Sequence, residues 1–323
     1  MRQHWPHQSG TLQKGSPLKV LVTGGAGFIG SHICKELVSL GIDTVILDDL
    51  TRGRESNVPE GARLIRGSVT DVDAVTGAMI GVDVVFHFAA RVSTRESNVS
   101  FHEDALTNIM GTLNVLACGR DAGVNRIVYS SSAAVYRDDP SAGAVSESSP
   151  TGPKAPYGIS KLAGEMYVAR MCATFDIDYV ILRHFNVYGP GQLPGPYAGV
   201  ISIFVECLLA GKNPVIFGDG GQVRDLICVE DIVQANIRAM ETRLPNTTVN
   251  IGTGVPHSVN ALARIILDVM GSDLEPEYKE PVEADIRYSL ADTRKARELL
   301  GFQAKGALED KIEGVVEWMK SKG

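Results

Sequence analysis

The stretch VLVTGGAGFIGSH, residues 20 to 32, limits what this chain can fold into more than any other. A run of apolar residues gives way to Gly24, Gly25, Gly27 and Gly30, and then to the helical pattern FIGSHICKELVSLG, which Gly41 ends. This is a strand turning sharply into a helix. Glycine is required where the turn is tight and where backbone must approach a pyrophosphate, while the helix N-terminus aims free N–H groups at that anion. The next strand, DTVILDD, ends in Asp48 and Asp49, which can accept hydrogen bonds from the hydroxyls of an adenosine ribose. A carboxylate there repels a 2'-phosphate, so NAD is expected over NADP; Arg52 and Arg54 follow closely and act against that repulsion.

The alternation continues through RLIRGSV, VDVVFHFAA, NRIVYSSS and DYVILRHFNV, with helical stretches between several of them. Strands that are almost continuously apolar are buried on both faces, so the expected class is α/β, a doubly wound parallel sheet of Rossmann type. With 323 residues, 44% of them hydrophobic, the chain is large enough for that domain and a second, smaller α/β lobe. Residues 1–17 read as a disordered tail and 18–185 as the dinucleotide domain, with part of 222–253 returning to it. Residues 186–323, after the Gly- and Pro-rich loop VYGPGQLPGPYAG, read mainly as a partly interleaved substrate lobe.

A net charge of -7 provides no basic field, which argues against nucleic acid or an anionic membrane surface as partner. No stretch is long and apolar enough to span a bilayer. The five cysteines, scattered and never spaced as CxxC, suit a reducing cytoplasm rather than a disulfide framework. His87, inside an apolar strand, reads as a core histidine with satisfied hydrogen bonds, and no metal site is expected.

The second chemical feature is YGISK, residues 157 to 161. Lys161 follows Tyr157 by four positions and so shares its helix face. A phenol with a pKa of about 10 is a poor base at neutral pH, and a nearby ammonium favours its phenolate, which prepares the pair for proton transfer. Ser130, Ser131 and Ser132 close a buried strand at the sheet edge where open α/β folds bind ligands, and a hydroxyl there can orient a substrate alcohol.

Taken together with FHFAA, SSSAAVYR, RHFNVYGP, GDGGQVRDLICVEDIVQA, NIGTG and ADTRKA, these motifs resemble the extended short-chain dehydrogenase/reductases, and among them the nucleotide-sugar epimerases of the UDP-glucose 4-epimerase type. The resemblance runs from about Val20 to Arg297. It implies a tightly bound NAD lying along Gly24, Gly27, Phe28, Ile29 and Gly30, with Asp48 and Asp49 at the ribose. Ser68 and Val69 would lie at the adenine, Phe88, Ala89 and Ala90 beside the middle of the cofactor, and Asn108 on a facing helix. Ser132, Tyr157 and Lys161 match the catalytic triad, with Ser130 beside the cofactor and His184 and Phe185 against the nicotinamide. Ser132, Ala133, Phe185, Asn186, Arg224, Arg287 and Ser289 would meet a nucleotide-sugar substrate. The implied reaction is 4-epimerisation through a transient 4-keto sugar. A nucleotide-sugar ketoreductase or dehydrogenase is the alternative, and a catalytically silent dinucleotide sensor a more distant one.

Several positions depart from the family pattern. Ser68 stands where an aspartate usually holds the adenine amino group, and Val282 where an arginine usually contacts phosphate, unless Arg287 takes its place. Ser289 is small, implying room for a 2-acetamido group, so N-acetylhexosamine nucleotides join the plain hexoses as expected substrates. Gly191 replaces the arginine associated with uronic acids, and Ala133 and Ala134 replace the acid pair of the 4,6-dehydratases. The resemblance also implies a homodimer through a four-helix bundle, for which Met166, Val168 and Met171 are expected to offer a second apolar face.

Overall fold

The structure, a computed structural model, describes residues 18–322 apart from 142, 193–198, 244–245 and 283–284; the expected tail at 1–17 lies outside the described residues. The chain begins with β1 (Lys19–Thr23), α1 (Phe28–Ser39), β2 (Asp43–Asp48), β3 (Arg63–Arg66), α2 (Val72–Ala78) and β4 (Val84–His87). Two short helices, α3 (Thr94–Ser97) and α4 (Phe101–Ala105), then run through a π-helical turn at Leu106–Met110 into α5 (Gly111–Ala122). After these come β5 (Arg126–Ser132), α6 (Pro156–Phe175), β6 (Asp178–His184), β7 (Asn186–Tyr188), α7 (Val200–Leu209) and β8 (Val215–Phe217). The remainder is β9 (Val223–Cys228), α8 (Val229–Glu241), β10 (Thr247–Ile251), β11 (Pro256–Ser258), α9 (Val259–Met270), β12 (Glu277–Lys279), β13 (Tyr288–Ser289), α10 (Arg294–Leu300) and α11 (Leu308–Lys320).

Seven strands form one sheet in the order β10-β6-β5-β4-β1-β2-β3, every neighbouring pair parallel. The apolar runs of β1, β2, β4 and β5 require cover on both faces. Ile33 and Leu37 of α1 pack on one side together with Ile232 of α8 and Leu300 of α10. Val75 of α2, Val115 of α5 and Val168 of α6 pack on the other. The strand order reverses direction between β1 and β4, which opens a crevice beyond their C-terminal ends. The glycine turn, Phe88 to Ala90 and the serines ending β5 all lie along that edge.

The last strand of the sheet, β10, comes from residues 247–251, and α8 packs against α1, so the chain returns to the sheet after leaving it at β6. Between and beyond these returns, a second core gathers Phe204 of α7, Leu262 and Ile266 of α9 and Ile312 of α11. A small sheet of β7, β9, β11 and β13 borders that core and faces the crevice. Of the three residues expected to form an outward apolar face, only Met166 does so, at 67% exposure; Val168 is fully buried against the sheet and Met171 is half-buried beside it. In α6 the turn-by-turn geometry decides which apolar residues point outward, and Val168 falls on the inner side.

Candidate functional site

The glycine turn is built from backbone. Gly24 has φ of 70°, and a Cβ there would stand 2.7 Å from the amide nitrogen of Ala89. A Cβ on Gly30 would stand 2.2 Å from the Gly24 carbonyl oxygen, so side chains are excluded by main chain that cannot move aside. Gly27 caps α1 without a side chain, and the N–H groups of the first helical turn have no carbonyl one turn earlier. Those donors point into the crevice, as an anion site requires. The Asp48 carboxylate is buried at the end of β2 and accepts the N–H groups of Ala26 and Leu50, each at 2.9 Å. It braces the glycine turn from below. Asp49, next to it, accepts the Thr51 N–H at 2.9 Å. These residues fit a dinucleotide: close backbone, free N–H groups and a carboxylate at the second strand.

Ser68 holds Thr70 through its hydroxyl at 2.9 Å, and Val69 is buried against Gly111. Phe88 stacks parallel to His184 with ring centroids 6.1 Å apart, forming a flat wall across the ends of β4 and β6. His184 meets Ser130 Oγ through Nδ1 at 3.2 Å. Burial, aided by the charge of Lys161, lowers its pKa to about 3 and keeps the ring neutral. His87 is satisfied on both nitrogens, by Thr23 Oγ1 at 2.7 Å and Thr112 Oγ1 at 2.9 Å, which makes it a core residue.

Tyr157 sits at the start of α6, where Pro156 occupies the first turn and Tyr157 N–H donates to Ser97 Oγ at 3.2 Å. Both Tyr157 and Lys161 are buried. The Lys161 ammonium donates to the Ser130 carbonyl at 2.7 Å and lies 5.0 Å from the centre of the Tyr129 ring. Burial lowers its pKa to about 8, against the pull of Asp104 and Glu165. Burial also pushes the Tyr157 phenol up to about 12, with a hydrogen bond to Ser132 acting the other way. The spacing rule therefore gave the right face, but within the chain itself burial dominates the phenol. The phenol needs further positive charge in the crevice to become a base at neutral pH.

Three polar residues around this pair escaped the sequence reading. Glu165, one turn beyond Lys161, accepts Ser131 Oγ at 2.5 Å and grips Arg183 of β6 at 2.9 and 2.6 Å. Arg183 in turn covers the Tyr136 ring at 4.8 Å. Asp104 of α4 is buried beside Asn108, whose amide reaches Asp104, Ser160 and both the N–H and carbonyl of Arg91 at 2.8 to 3.1 Å. The available signal for Glu165 was its place at the third step of the Tyr157, Lys161 face; for Arg183 it was a charge inside an apolar strand.

On the other side of the crevice, Ala133, Tyr136, Asp138, Phe185, Tyr288 and Ser289 line one depression, which unites three of the expected substrate residues. Asn186 is exposed on β7. Arg224 of β9 donates to Asp285 at 2.6 Å, and Arg287 grips Asp219 at 2.7 and 2.9 Å. Both cations are held by carboxylates. Val282 accepts the Asp285 N–H through its carbonyl at 3.0 Å and provides no charge.

A profile of the NAD dependent epimerase/dehydratase family matches residues 20–252. The chain belongs to that family. The matched residues include both the glycine turn and the helix that carries Tyr157 and Lys161. It is 37% identical over 311 residues to the UDP-glucose 4-epimerase of Mycolicibacterium smegmatis, covering 94% of this chain and 99% of that protein. The crystal structure of UDP-glucose 4-epimerase with UDP-glucose from Thermotoga maritima superposes with a TM-score of 0.92 at 37% identity, covering 94% of this chain and 99% of that one. The UDP-N-acetylglucosamine 4-epimerase of Methanobrevibacter ruminantium, in complex with UDP-N-acetylmuramic acid, gives 0.90 at 34% identity, covering 96% and 100%.

Proposed function

We propose that this chain is an NAD-dependent 4-epimerase acting on nucleotide-diphosphate hexoses, including their 2-acetamido forms. The observation that carries the reading is the meeting of half-buried Ser132, at the end of β5, with the buried Tyr157 and Lys161 of α6, the Tyr157 phenol hydrogen-bonded to Ser132. The relatives, named for 4-epimerisation of UDP-glucose and UDP-N-acetylglucosamine, support the substrate class.

NAD, when bound, supplies the reversible acceptance of a hydride, and its nicotinamide adds positive charge near the phenol. Tyr157 takes the proton of the sugar 4-hydroxyl and later returns it; Ser132 orients that hydroxyl. Lys161 lends the phenolate its charge from within the same helix. The Phe88 and His184 wall keeps one side of the crevice flat and neutral. Arg224 and Arg287 hold the diphosphate, exchanging their carboxylate partners for phosphate oxygens. Ser289, small and facing the depression, leaves space for an acetamido group.

Met110, Ile159, Met166 and Tyr167 are exposed apolar residues on α6 and the turn before α5, and they suit a homodimer joined through these helices. The free cysteines of the described residues suit a reducing cytoplasm. No helix among the described residues is long and apolar enough to cross a membrane.

Incubating the purified chain with UDP-glucose or UDP-N-acetylglucosamine, with no cofactor added, and following the C4 proton by NMR tests the proposal. The galacto epimer should accumulate from both. Silence from protein shown to contain NAD would overturn it and favour a net oxidoreductase.

A further inference from the structure

Asp104 is a buried carboxylate, 2% exposed, in the short helix that precedes the π-helical turn. Among the described residues it forms no direct ion pair, and its Oδ1 accepts the Asn108 amide at 3.1 Å. A buried, unpaired carboxylate is costly unless its charge serves a neighbour. The same Asn108 amide nitrogen reaches Ser160 Oγ at 3.0 Å, and Ser160 donates to the Tyr157 carbonyl at 3.0 Å. Asp104 is thus joined through two side chains to the helical turn that carries Tyr157 and Lys161. Asn108 lies within the π-helical turn at Leu106–Met110, a local distortion that recurs at functional sites.

The charges around Lys161 narrow the role further. His87 of β4 and His184 of β6 are held neutral by burial. Tyr129 of β5 offers only its ring face, and Tyr157 on α6 is protonated at rest. Glu165 on α6 spends its charge on Arg183 in a two-point pair. Asp104 remains as the carboxylate held in no direct ion pair among the described residues, with Ser160, Lys161 and then Arg91 acting on it against burial.

We propose that Asp104 is a positioning residue for proton transfer: through Asn108 and Ser160 it fixes the first turns of α6, and its negative charge keeps Lys161 an ammonium. This rests on the reading of Tyr157 and Lys161 as the proton-transfer pair. Removing the charge makes the ammonium easier to deprotonate. It also makes the phenolate easier to form, since Asp104 opposes that second charge. Both midpoints therefore move to lower pH when the carboxylate is lost.

The test is an NMR titration of protein labelled at the lysine ε-carbon, with Lys161→Arg identifying the resonance, in the parent chain and in Asp104→Asn and Asp104→Glu. The Lys161 midpoint, about 8 in the parent, should fall in Asp104→Asn and return towards the parent value in Asp104→Glu. The basic limb of the kcat profile should move with it, and KM should change little. A folded Asp104→Asn chain with an unmoved Lys161 midpoint would overturn the proposal and leave Asp104 as a brace for its own helix. If the amide variant does not fold, Asp104→Ser carries the same expectation and the same refutation. A parent chain without epimerase turnover would sink the reaction while the titration still decides the role of Asp104.

Discussion

The two sides of the crevice are built on opposite plans. On the dinucleotide side the contacts that matter are between backbone atoms, with Gly24 and Gly30 so close to other main chain that a methyl group does not fit. On the sugar-nucleotide side the contacts are between charged side chains, Arg224 with Asp285 and Arg287 with Asp219, in pairs that can be exchanged. One surface is set when the chain folds, whereas on the other the two cations are held by internal carboxylates, which in the reading proposed above an incoming phosphate replaces. The contrast teaches that a site built of backbone is fixed with the fold, while a site built of ion pairs can trade one anion for another.

The sharpest way to break the contrast is Gly30→Ala. Its Cβ would meet the Gly24 carbonyl oxygen, so dinucleotide binding should drop about 100-fold by calorimetry, the upper end of the roughly 1–3 kcal/mol that overpacking costs. Binding of UDP to the other side should survive wherever the sheet remains folded. A smaller effect is expected from Arg224→Ala, which removes a charge-assisted contact of about 1.5–3 kcal/mol and should raise KM for the nucleotide sugar roughly 10- to 100-fold. Cofactor content should not change. Equal loss of NAD in that variant would show that the two sides are not independent.

Acidification gives the smallest and most selective test. His87 and His184 have pKa values lowered to about 3 by burial, against an unfolded value near 6.5. Below 6.5 the unfolded chain binds more protons than the folded one, so stability present at pH 7 is lost as pH falls towards 3. Between pH 7 and pH 6 the two rings together should cost about 1.4 kcal/mol, read as a lower urea midpoint. Both histidines belong to the seven-stranded sheet, so hydrogen exchange should quicken there before it does in the core around Phe204 and Ile266.

Those same differences explain what could be read from sequence. The glycine turn was legible because a backbone requirement leaves few residue choices, and the Tyr157–Lys161 pair because helical spacing is fixed. Glu165, Arg183 and Asp104 were not, since their meaning comes from three separate strands and helices converging on one place. Spacing also says nothing about burial, which pushes the Tyr157 phenol up to about 12. Val168 was misplaced for a related reason: a helix rich in apolar residues on several sides does not reveal which of them the sheet will claim.

The position of β10 has a consequence for how this protein must be made. Until residues 247–251 have left the ribosome, β6 has no partner on its outer side, and the row of N–H and C=O groups that β10 will cover stands open. Asn250, which later receives the Tyr136 hydroxyl at 2.6 Å, is also missing from the interior. A nascent chain paused after β6 therefore presents an apolar, unpaired strand edge, the kind of surface that joins other chains. The sheet becomes safe only when the chain has already passed through α7, β8 and β9 of the neighbouring lobe, which ties the timing of one half to the synthesis of the other.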